Sequence, residues 1–213
     1  MPHGYIPGDT VGNVAAAMHL LLAVIITVGG PIQLISQIRE RAWTFHRWNG
    51  RVYVLTAFTI SAVGLYMVWV RGTAGGFGQH IATSLNAVLI MLCAAMALRY
   101  ALPRKFSVHR RLALRLFMVA SGVWFFRVGF WLWIFLNNGP VGFNPKTFQG
   151  PFRTLWNFGQ YLLPLSVLEL YLRVRDRAGA PSRIAMAAVL LVLTVAMGLG
   201  IYVVTVRRWL PRI

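Results

Sequence analysis

Six long apolar runs alternate with short polar stretches along the chain, and each is long enough to cross roughly 30 Å of bilayer hydrocarbon as a helix of about 20 residues. The pattern places spans at about 14–37, 52–71, 81–101, 112–136, 155–172 and 184–206. It predicts an all-α fold: a polytopic membrane bundle of six transmembrane helices, with a four-helix core and a terminal helical hairpin. In the first run, Gly29-Gly30-Pro31 lacks one helix hydrogen bond, so a kink or thinned turn is expected there. Gln33 is placed to satisfy a freed backbone group.

Composition agrees. The 213 residues are 58% hydrophobic with mean hydropathy +0.64, against about 45–50% apolar residues in soluble domains. No polar block is long enough for a soluble module and no linker divides the chain, so residues 1–213 read as a single integral membrane domain. The stretch from Met1 to Asn13 has no Lys or Arg and carries Asp9, unlike the basic start of a cleaved signal peptide. The first run is therefore expected to stay in the mature protein. The one cysteine, Cys93, lies in an apolar run, which excludes a disulfide framework or a thiolate metal cage.

A net charge of +17 would suggest nucleic acid in a soluble protein, but here the cations sit in short connections between apolar runs. Arg39, Arg41, Arg47 and Arg51 follow span one; Arg99, Arg104, Lys105, Arg110, Arg111 and Arg115 follow span three; Arg173, Arg175, Arg177 and Arg183 follow span five. All fall on one side, which the positive-inside rule assigns to the cytoplasm. The expectation is a bacterial cytoplasmic (inner) membrane protein with both termini extracytoplasmic, against which the tail cations Arg207, Arg208 and Arg212 run. The expected partners are the lipid bilayer and a membrane protein or quinone, and no nucleic acid.

The polar sentence Phe45-His46-Arg47-Trp48-Asn49-Gly50-Arg51-Val52-Tyr53 has an echo at Val108-His109-Arg110-Arg111, followed by Arg115. His46 and His109 both enter from the cytoplasmic side, at the starts of spans two and four. If those spans adjoin, the two imidazoles can hold a haem iron from opposite faces. Arg51 and Arg111, with Arg47, Arg110 and Arg115, would then pair with the propionates. His19 with His80 would form an outer site on spans one and three, flanked by Arg127 and Trp124. The matched histidines in two successive hairpins also read as a weak internal repeat.

Ionisable groups within spans are costly and usually face a partner. His19, Arg127 and Glu169 are of this kind. At about 1.5 Å per residue, His19, Arg127, Asn157 and Gln160 fall in one layer. Arg127 is accordingly expected to face the bundle interior against His19 or Gln160. Glu169 belongs to the inner layer with Arg115, as a structural ion pair or a proton-handling carboxylate. No phosphate-binding glycine loop, Ser/His/Asp set or HExxH helix occurs, so no catalytic residue is named.

The chain resembles the domain of unknown function family 2306, a family of uncharacterised bacterial polytopic membrane proteins. The resemblance rests on His19 followed by Gly30-Pro31-Ile32-Gln33, on His46 to Tyr53, on His109-Arg110-Arg111 with Arg115 and Arg127, and on Glu169, and covers about residues 15 to 172. Leu112-Ala113-Leu114 departs from the family pattern, and His80 is not part of it. The resemblance implies a multi-span membrane protein and supplies no activity.

Three functions compete. The first is a b-type haem electron-transfer protein with histidine ligands on spans one to four and haem b as cofactor. The second is a non-catalytic accessory or assembly subunit of a membrane complex. The third is a proton-coupled transporter using His19, Arg127 and Glu169.

Overall fold

The computed structural model describes residues 6–72 and 75–210. Among them, α1 (Thr10–Leu34), the short α2 (Ser36–Arg41), α3 (Trp43–Tyr66), α4 (Gly76–Ala101) and α5 (Phe106–Ala120) are followed by α6 (Gly122–Leu136), α7 (Pro151–Arg177) and α8 (Ala180–Val204). A π-helical turn extends α3 to Arg71, and another extends α8 to Trp209. No strand occurs among the described residues, as the all-α expectation requires.

Contacts divide the chain into two units, Met1–Ser121 and Gly122–Ile213. In the first, α1 packs on α3, α3 on α4 and α4 on α5. Phe117 of α5 lies against Gly30 of α1 and closes the ring. Consequently α3 and α5 occupy one diagonal of a four-helix bundle, and α1 and α4 the other. Small residues make the close approaches: Ala57, Ala82, Ala87, Ala94 and Ala97 are buried. Leu20, Leu21, Val24, Leu55 and Leu92 point outward, the arrangement expected where the surroundings are lipid.

The start of α1 is clamped to the end of α3. Asp9 caps α1 by accepting from the Gly12 N–H at 2.9 Å, which satisfies one of the unpaired donors of a helix start. Arg71 completes the clamp, pairing with Asp9 at 3.2 Å and donating to the Gly12 carbonyl at 2.9 Å.

In the second unit α6, α7 and α8 pack on one another. Gly200 of α8 lies against Val128 of α6, and Gly129 of α6 lies under Trp156 of α7. The connection between α6 and α7 folds back, with Phe152 N–H donating to the Gly142 carbonyl at 3.1 Å.

Four stretches, Thr10–Leu34, Trp43–Arg71, Gly76–Ala101 and Ala180–Arg207, are long and apolar enough to cross a membrane. A fifth arises if α5 and α6 are one broken span. The predicted span four is thus two helices interrupted at Ser121, whose backbone (φ −80°, ψ 1°) leaves the helical region before Gly122. The predicted core is α1, α3, α4 and α5, and three helices follow it rather than a hairpin. Predicted span five lies within α7, which is helical throughout but carries Arg153, Asn157, Gln160, Glu169 and Arg173. At Pro31, where a kink or thinned turn was expected, α1 stays helical on to Leu34. The tail cation Arg212 lies outside the described residues.

Candidate functional site

The two sequence motifs meet at the end of the first unit where α1 joins α3 and α4 joins α5. Absence of side chains at Gly29, Gly30 and Gly50 permits the contact. A Cβ on Gly29 would lie 3.3 Å from Asn49 Oδ1, and one on Gly50 would lie 3.4 Å from Gln33 Nε2. Asn49 Nδ2 donates to the Gly29 carbonyl at 3.0 Å, and Gln33 Nε2 to the His46 carbonyl at 2.9 Å. Gln33 therefore does reach a backbone carbonyl, but on the neighbouring helix.

His46 is half-buried in the first turns of α3, and its buried Nδ1 has no hydrogen-bond partner. It lies within electrostatic reach of Arg39 and of His109. His109 Nδ1 is 2.8 Å from the Ala97 carbonyl of α4. A carbonyl only accepts, so Nδ1 donates there, and in the neutral ring Nε2 is the acceptor. The predicted inner pair is therefore brought together from diagonal helices, where adjacency had been expected.

The guanidinium groups are arranged differently from the expectation. Arg51 is exposed and stacks over Trp48 at 5.0 Å, and Arg47 over Trp43 at 5.4 Å. Arg110 is exposed, whereas Arg111 and Arg115 are half-buried on α5. Arg39, not singled out from the sequence, is the cation that His46 feels most.

At the opposite end of this unit, the His19 ring of α1 packs on Gly64 of α3. His80 of α4 meets Trp69 edge-on at 5.6 Å, and Trp69 Nε1 donates to Ser84 Oγ at 3.0 Å. Between the two ends, Tyr53, Ser61 and Asn86 are buried, and Tyr53 Oη, Ser61 Oγ and Asn86 Oδ1 have no hydrogen-bond partner. Of these, only Tyr53 belonged to a sequence motif. Ser61 and Asn86 carry no local signal, because one hydroxyl or amide in an apolar helix is common.

In the second unit Arg127 is exposed on α6, contrary to the interior placement expected. Gln160 donates instead to the Asn157 carbonyl at 2.7 Å. A depth count carries no information on direction around the helix axis. Glu169 is half-buried on α7. Among the described residues of this unit the buried cation is Arg153, whose guanidinium lies over Phe126 at 4.5 Å and Phe130 at 5.1 Å. Among the described residues, no group of three or more His, Cys, Asp or Glu could hold a metal ion.

Residues 16–149, more than half of the chain, match the model of a family described as predicted membrane protein (DUF2306). The chain belongs to this family. The match takes in His19, His46, His109 and Arg127 but stops short of Glu169, which narrows the stretch over which the resemblance had been read. No curated protein and no solved structure matches the chain.

Proposed function

We propose that the first unit of this DUF2306 protein is a b-type haem electron-transfer module, in which His46 of α3 and His109 of α5 would hold the haem. The observation that carries this reading is the approach of two imidazoles from diagonally opposed helices, within electrostatic reach of each other. The Ala97 carbonyl orients His109 in the manner of second-shell partners of metal-bound histidines and leaves Nε2 available. His46 supplies a buried nitrogen with no hydrogen-bond partner. Arg39, Arg111 and Arg115 lie on the helices that bring these histidines together or lead into them, and cations of this kind pair with propionates. Haem b supplies a one-electron iron couple when bound. The chain's own part would be to hold the haem through His46 and His109, and the cations Arg39, Arg111 and Arg115 would favour its less positive, reduced state. His80 is turned edge-on to Trp69, and we assign it no iron.

The test is the absorption spectrum of the full chain, purified in detergent from haem-replete cells and recorded oxidised and dithionite-reduced. A Soret band with reduced α and β bands, lost in His46→Ala and in His109→Ala, is expected. A colourless protein would overturn the reading.

Arg127 favours a second reading, that of an accessory subunit. An exposed guanidinium on an apolar helix costs about 2.5–3.5 kcal/mol in hydrocarbon unless it is matched, and a polar group on another membrane protein would match it. Arg127→Leu is then expected to leave expression and thermal stability unchanged but to abolish co-purification of a partner from native membranes in mild detergent. Loss of folding in the isolated variant would place Arg127 in the fold instead.

A further inference from the structure

We infer that the face of α3 bearing Tyr53 and Ser61 is a proton path through the first unit, running between the end where α3 begins and the layer of His19. Hydroxyl groups in apolar helices normally return to the carbonyl one turn back. Thr27 does so to Ala23 at 2.7 Å, and Thr59 to Leu55 at 3.0 Å. Ser61, on the same helix as Thr59, does not: its Oγ is buried and has no hydrogen-bond partner. Tyr53 Oη is in the same condition, and so is Asn86 Oδ1 on α4, which packs against α3. Their relative exposures are 6% for Tyr53, 4% for Ser61 and 8% for Asn86.

The spacing suits a path of this kind. From His46 to Gly64, where the His19 ring packs, α3 rises about 27 Å at 1.5 Å per residue. The hydrocarbon layer is about 30 Å thick. A phenol and a serine hydroxyl can each accept a proton on one side and release one on the other, so a hop needs no oxidant and leaves each group unchanged. Asn86 Oδ1 can only accept, and its part is to orient a water. Tyr53 and Ser61 are about 12 Å apart along the axis, which exceeds one hydrogen bond. Water molecules entering the gaps must therefore complete the chain. A metal-ion path is disfavoured, because these side chains include no carboxylate. The path does not depend on the haem reading, since none of Tyr53, Ser61 and Asn86 is an iron ligand in it.

The full chain is reconstituted into liposomes holding a pH-sensitive dye, and a potassium gradient with valinomycin drives protons inward. Flux above that of protein-free vesicles is expected, falling to their level in Tyr53→Phe and in Ser61→Ala. Thr59→Val, which removes a hydroxyl already satisfied by Leu55, should keep the full flux. Size-exclusion profiles and helical circular dichroism show whether each variant is folded, and Ser61→Ala, the smaller change, decides if Tyr53→Phe is not. Wild-type flux equal to that of empty vesicles overturns the proposal. So does full flux in folded Ser61→Ala, or loss of flux in Thr59→Val. Absorption of the same preparations separates this result from the fate of the haem reading, because flux without colour supports the path alone.

Discussion

Gly150→Ala is expected to destabilise the second unit by on the order of 3 kcal/mol, combining backbone strain with a lost hydrogen bond. Gly150 precedes α7 with φ 153°, where a side chain is strained whatever the space. Space is also lacking. A Cβ there would lie 2.5 Å from the Gly142 carbonyl oxygen and 2.6 Å from Phe143 Cα, and both are backbone atoms that cannot rotate away. The Gly142 carbonyl accepts the Phe152 N–H, and Phe143 is buried against Phe130 with ring centres 5.0 Å apart. A shift of this strand of chain therefore disturbs both the fold-back and the aromatic cluster beneath it. Unfolding by SDS titration, followed by tryptophan fluorescence, should show an earlier midpoint. Gly139→Ala is the control, because a Cβ at Gly139 meets nothing within 4 Å and should leave the midpoint in place. Equal midpoints for Gly150→Ala and the parent chain would contradict the packing described.

Gly30→Leu is expected to have a comparable effect on the first unit, about 3 kcal/mol, which is the upper range for overpacking a filled interface. A Cβ on Gly30 would already stand 3.0 Å from two Phe117 ring carbons and 3.2 Å from Tyr53. Leucine would need the volume that those two rings occupy. Because Phe117 links α5 to α1, its displacement opens the ring of four helices at the layer next to His46 and His109. The same SDS titration should report the loss, and partial rescue by Phe117→Ala would tie it to this contact. Unchanged stability in Gly30→Leu would mean that α1 and α5 are not held together there.

Much of the first unit was legible because hydropathy and motif agreed. Apolar length located α1, α3 and α4, and the two His-Arg motifs marked the end where His46 and His109 come within electrostatic reach of each other. What the motifs are for was less visible. Gly29, Gly30, Gly50, Gln33 and Asn49 turn out to interlock α1 with α3, and that role depends on which faces touch. The division at Ser121 was hidden, since apolar residues run on both sides of it and one residue leaving the helical region makes no mark on a hydropathy profile. Arg127 failed for a related reason: depth follows from counting residues, but direction depends on the packing of the whole unit. Arg71 and Arg153 stand in no sequence motif, although each has its charge drawn inward by a specific partner: Asp9 for Arg71, and phenylalanine rings for Arg153.

The stacking of Arg47 on Trp43 and of Arg51 on Trp48 leaves both charges uncancelled, since an indole carries no formal charge. With 21 lysines and arginines against four carboxylate residues, electroneutrality must come from ions outside the chain. The basic end of the first unit therefore carries an ion atmosphere rich in anions and poor in hydronium, reaching about 10 Å into solution at 0.1 M salt. A proton arriving there from bulk water climbs a potential, whereas one leaving descends it. Release at that mouth is favoured over capture, and the difference shrinks as ionic strength rises.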